Sequence, residues 1–131
     1  MTIKDGVYKI CEFLLGTSWT ALSLKNGVGV GSYGGSRTTP SYKRQGDQVI
    51  IEGSISIADF QGSQQVSSIP DNLKPAKHHY AIVPVSGSNV ARMIVKNDGS
   101  VWVEWIKRLT TGENVTGEIS WVQISTSYFI D

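Results

Sequence analysis

Apolar and polar positions alternate with a period of two through most of this chain. Val49, Ile51, Gly53, Ile55 and Ile57 share one parity, with Gln48, Ile50, Glu52, Ser54 and Ser56 on the other. Trp19, Ala21 and Ser23 alternate in the same way with Thr20, Leu22 and Leu24. Successive side chains of a strand point to opposite sides, so this pattern predicts strands with one face on a core. Residues 91–107 predict a hairpin, because Met93-Ile94-Val95 and Val101-Trp102-Val103 flank the turn-forming run Asn97-Asp98-Gly99-Ser100. Strict alternation along its second arm puts Val101, Val103 and Trp105 on one face and Trp102, Glu104 and Ile106 on the other. Further strands are expected near 28–33, 40–45, 79–86 and 117–125. Some eight strands in one domain predict an all-β fold, an antiparallel β-sandwich or jelly roll.

The first 16 residues follow another rhythm. Val7, Ile10, Cys11, Leu14 and Leu15 have helical spacing and Gly16 suits a C-cap, which predicts a short N-terminal helix. The run Val7-Tyr8-Lys9-Ile10 also suits a strand. Two or three helical turns are marginal alone in water and need packing partners.

Composition narrows the class further. The 131 residues fit one domain, and 40% hydrophobic against 18% charged residues is enough for a packed core. A net charge of +1 gives no electrostatic case for nucleic acid or for an anionic membrane. No apolar run approaches the roughly 18 residues of a membrane span, and the start lacks the pattern of a signal peptide. The single Cys11 cannot form an internal disulfide and reads as a small buried apolar side chain. The 14 glycines punctuate short elements and supply the positive φ that tight turns require.

Several motifs dissolve when their mechanism is checked. Gly29-Val30-Gly31-Ser32-Tyr33-Gly34 spells the dinucleotide fingerprint, but Gly35-Ser36-Arg37-Thr38-Thr39-Pro40 cannot open the helix that would receive a pyrophosphate. His78 and His79 are adjacent, so a strand would point them to opposite faces, and no Cys or Asp cluster accompanies them. No metal site and no cofactor is expected. No nucleophile elbow occurs, and the carboxylates are spread singly, so no catalytic set can be assembled.

Aromatic residues are the remaining candidates. Trp19 and Trp121 read as core or interface residues. Trp102 and Trp105 stand on the hairpin among Arg92, Asp98 and Glu104, with His78, His79 and Tyr80 in a neighbouring segment. Sugars present apolar C–H faces and outward hydroxyls, so aromatic faces with a few polar groups make suitable saccharide sites. Trp102, Trp105, Asp98, Glu104, Arg92, His78, His79 and Tyr80 are therefore the candidate ligand-binding set.

Five phrases, in order, carry a resemblance. Trp19, Leu22, Leu24, Asn26 and Gly27 match a Trp-x-x-Leu-x-Leu-x-Asn-Gly opening, and Tyr42, Lys43, Gly46 and Val49 match the strand after it. Ile69-Pro70, Leu73 and Pro75 fill a Leu-Pro-x-x-(Tyr/Phe)-x-Pro corner, with Leu in the aromatic slot. Asp98-Gly99 matches a late hairpin, and Trp121-Val122-Gln123-Ile124 a closing Trp-x-x-Leu strand. Over about residues 17–128 the chain resembles the C-terminal head domain of bacteriophage tail fibre and receptor-binding proteins.

The resemblance implies a jelly-roll-like head, residues 17–131, assembled as a homotrimer at a tail tip or baseplate in the virion. Residues 1–16 would be the linker or helix joining a shaft. Its partners would be host cell-surface polysaccharide or teichoic acid and other tail or baseplate proteins, with no catalysis. The matched phrases mark scaffold, so the site residues rest on the aromatic argument alone. The competing expectations are a trimeric tail or baseplate assembly module, a glycan depolymerase tip, and a lectin-like domain of cellular origin.

Overall fold

The structure, a computed structural model, describes residues 18–32 and 39–130. The expected N-terminal helix, Cys11 and the end of the Gly-rich run lie outside the described residues. Eleven strands are present among them: β1 Thr20–Ala21, β2 Gly29–Val30, β3 Ser41–Gln45, β4 Gln48–Glu52, β5 Ser54–Phe60, β6 Gln64–Ser68, β7 His79–Val85, β8 Asn89–Val95, β9 Ser100–Arg108, β10 Gly117–Gln123 and β11 Thr126–Phe129. A single 3₁₀ turn, Asp71–Leu73, interrupts the β6–β7 connection. The strands form a four-stranded sheet, β1-β3-β4-β11, and a seven-stranded sheet, β2-β5-β10-β7-β8-β9-β6. Every pairing is antiparallel, so the all-β sandwich expected from the alternation is what the chain adopts.

One ribbon belongs to both sheets. β4 pairs with β11 and β5 pairs with β10 in the same register, so that Thr126 faces Ile51 and Gln123 faces Ser54. The corner lies at Gly53 and Ile124, where the Ile124 N–H donates to the Gly53 carbonyl (3.0 Å). Gly53 takes φ +128° there, and a Cβ would lie 2.6 Å from the Pro40 Cα, so only glycine fits this bend. The parity of the apolar residues survives the corner. Val49 and Ile51 enter the core from one sheet, Ile55, Ile57 and Phe60 from the other, and all are at most 1% exposed.

The rest of the core comes from the inward positions of β7, β8 and β9. Val83, Val85, Ala91, Met93, Val95, Val101, Val103 and Ile106 are all buried. The 69–75 corner closes one end: Leu73 is buried, and its carbonyl accepts a hydrogen bond from the Tyr128 hydroxyl (2.7 Å). That hydroxyl is desolvated, which pushes its pKa well above the usual tyrosine value.

Candidate functional site

β7, β8 and β9 lie side by side, with Tyr80 and Ile82 of β7, Arg92 and Ile94 of β8 and Trp102 of β9 on the face away from the core. The registers bring Tyr80 opposite Ile94 and Ile94 opposite Trp102, then Ile82 opposite Arg92 and Arg92 opposite Trp105. The second register depends on a β-bulge. Arg92 pairs with Trp105 but Met93 pairs with Val103, so Glu104 is an extra residue on β9. The extra residue reverses the facing of everything after it. Ile106, which strict alternation sends to the face opposite Val103, is 1% exposed and joins Val101 and Val103 in the core. Trp105 turns outward beside Trp102, so the two tryptophans share one half-buried face rather than standing on opposite ones.

Each ring on this face carries a cation. The Arg92 guanidinium lies 4.7 Å from the Tyr80 ring centroid, the Lys96 ammonium 4.4 Å from Trp102, and the Lys107 ammonium 5.0 Å from Trp105. Arg92 is also bound through Nε to the Glu104 carboxylate. Ile94 sits within this cover and is 1% exposed although it points away from the core. Lys96 and Lys107 were not among the expected residues. Lys107 follows Trp105 by two positions, the spacing that places neighbours on one side of a strand, and that signal was open to reading.

Asp98 serves the β8–β9 turn. Its Oδ1 accepts from the Ser100 N–H (2.9 Å) and the Ser100 hydroxyl (2.6 Å), and the hydroxyl hydrogen bond leads the effects that lower its pKa. The Ser100 Oγ in turn accepts from the Trp102 indole N–H (2.9 Å). A chain from turn to ring thereby fixes the Trp102 plane. His78 stands at the same end: its Nδ1 accepts the Asn97 N–H (3.0 Å), and its ring meets Tyr80 edge-on at 6.5 Å.

His79, the first residue of β7, turns toward β11. Its Nε2 meets the Thr126 Oγ1 at 2.8 Å, and its ring lies 5.6 Å from that of Tyr128. Burial lowers its pKa below the ordinary histidine value. Seven of the eight expected residues thus gather along the outer face of β7–β9 and its turn; His79 lines a groove with Pro75, Lys77 and Phe129, and His78 stands at the border of the two, since it lines that groove as well. Trp19 and Trp121 lie apart; Trp19 is 44% exposed under the Lys43 ammonium, and Trp121 is half-buried. Among the described residues no group of His, Cys, Asp and Glu is placed to hold a metal ion. No described helix is long and apolar enough to cross a membrane.

No protein-family profile matches this chain, and no curated protein matches it. Among solved structures, it is similar to the head domain of lactococcal phage bIL170, described under the question of a common fold for the receptor-binding domains of lactococcal phages. The superposition covers 86% of this chain and 96% of that one, with a TM-score of 0.56 and 15% sequence identity. The two chains share a fold, which is the fold expected from the five sequence phrases.

Proposed function

We propose that this chain is the receptor-binding head of a bacteriophage tail, and that it holds host-surface saccharide on the outer face of β7, β8 and β9. The observation that carries the proposal is the Glu104 bulge, which collects Tyr80, Arg92, Trp102 and Trp105 on one outward surface. Aromatic rings fixed by neighbours offer apolar contact to sugar C–H groups, and the adjoining cations and Glu104 offer hydrogen bonds to hydroxyls. The shared fold with a phage head domain supports the receptor-binding part of this proposal.

Binding by this route needs no reaction. The Glu104 carboxylate is engaged by Arg92 and the Asp98 carboxylate by Ser100, so this face offers no free pair of carboxylates for glycosidic cleavage. A homotrimer belongs to the same proposal. Leu109 and Phe129, each 66% exposed, offer apolar surface to neighbouring copies, and three sites on one cell surface multiply a weak affinity.

The test is binding of the labelled protein to a panel of bacterial strains, with purified cell-wall polysaccharides as competitors. Strain-selective binding abolished by one polysaccharide is the expected result. A folded protein that binds no strain, or binding that no saccharide competes, overturns the proposal.

A further inference from the structure

The outer edge of β9 is interrupted. β6 runs beside it from Ser100 to Val103. The segment 113–115 takes over further along, where the Val115 N–H donates to the Ile106 carbonyl (2.9 Å) and the Arg108 N–H to the Glu113 carbonyl (2.8 Å). The break falls at Glu104 and Trp105. A groove of about 390 Å³ opens there between the β5–β6 turn, with Gln61, and the 114–116 segment, with Trp105 and Lys107 along one side. Its volume lies in the range of small-molecule sites, roughly 300–1,000 Å³. Phe60 and Ile106, both buried, stand under it and belong to the packed core.

The groove is furnished with polar groups that the fold itself does not use. Trp102 spends its indole N–H on Ser100, whereas the Trp105 indole N–H, the Asn114 amide and the Thr116 hydroxyl make no hydrogen bond among the described residues. Gln61 donates its amide nitrogen to Asp59 (2.6 Å), which leaves its carbonyl as an acceptor. An aromatic flank with amide and hydroxyl groups around it is the chemistry that recognises a sugar ring. The charges give an anion little hold, since Lys107 is the one charged side chain in the lining, its ammonium already lies against the Trp105 ring, and the Asp59 carboxylate accepts from the Gln61 amide at the rim.

We infer that this groove is a distinct subsite taking one neutral pyranose ring, held against Trp105 and hydrogen-bonded by Asn114, Thr116 and the Gln61 carbonyl. The inference rests on the saccharide-binding reading and assigns it a place and a charge. A glycan chain that crosses the outer face would continue into the groove at its β9 edge.

The test is a titration of ¹⁵N-labelled protein with methyl glycosides of glucose, galactose, N-acetylglucosamine and rhamnose, and with glycerol phosphate, following the four tryptophan indole N–H signals. Trp105→Phe assigns the relevant signal. At least one glycoside is expected to shift the Trp105 signal saturably, and Asn114→Ala with Thr116→Ala to weaken that response about tenfold in a protein of unchanged amide dispersion. A shift confined to Trp102, no glycoside shift at all, or a Trp105 shift with glycerol phosphate alone overturns the neutral-ring assignment. If the same protein still binds cells in a saccharide-competed manner, the groove assignment falls alone. If it binds no strain, both fall together.

Discussion

Glu104 has no partner across the β8–β9 ladder, and its carboxylate holds Arg92 on the neighbouring strand. The bulged residue thus does two things: it turns Trp105 outward and anchors the guanidinium that lies over Tyr80. Glu104→Gln is expected to leave the fold intact at a cost under about 1 kcal/mol, because the ion pair is partly exposed. Saccharide binding is expected to fall severalfold as Arg92 leaves Tyr80. Urea unfolding beside cell-binding titration separates the two effects, and a large stability loss with unchanged binding contradicts this role.

Adjacent residues Trp105 and Ile106 should behave oppositely. Ile106→Ala is expected to cost about 2–5 kcal/mol, as for other fully buried aliphatic side chains. Trp105→Ala is expected to cost less stability and to lose binding. Equilibrium urea unfolding of both variants decides the facing; a reversed order would place the bulge elsewhere.

Gly53→Ala forces a side chain into the φ +128° region and against Pro40. A loss of about 3 kcal/mol or more is expected, visible as a lower urea midpoint. A variant as stable as the parent would show that the corner does not need glycine.

Tyr128→Phe removes the donor to the Leu73 carbonyl and leaves that acceptor in a closed corner. The expected cost is about 1–3 kcal/mol in urea unfolding, with no change in saccharide binding.

Stability should fall on mild acidification through His79. Its pKa in the folded chain lies below the ordinary histidine value of 6.5 because burial disfavours the charged ring, so the unfolded chain binds the proton more readily. The stability associated with neutral His79 is complete above pH 6.5 and is lost as pH falls from there through the folded value. Thermal unfolding across this range should show the decline, and His79→Gln should flatten it. An unchanged slope in the variant would assign the effect to other groups.

How much of this was legible depends on whether a feature leaves a mark in the alternation. The β4–β5 run, the hairpin of β8 and β9, and β7 were readable because inward Val and Ile recur at every second position. β6 was missed because Gln64 and Gln65 give it a polar start, and β11 was missed because it lies beyond the strand expected over 117–125. The bulge was hidden: Val101, Val103 and Trp105 continue the alternation smoothly across Glu104. The adjacent apolar pair Trp105-Ile106 was its one visible trace. The passage between sheets at Gly53 was hidden too, since parity does not change there. The groove between Gln61 and Thr116 joins segments too distant in sequence for any local pattern to connect them.

The ribbon that bends at Gly53 has a consequence for how this molecule comes apart. Removing the four-stranded sheet strips β4 and β11 from a ladder whose register carries across the corner into β5 and β10, and the reverse holds equally. Neither sheet can survive as an independent half. Unfolding is then a single all-or-none event, and amide hydrogens on both sides of the corner exchange with solvent through the same global opening.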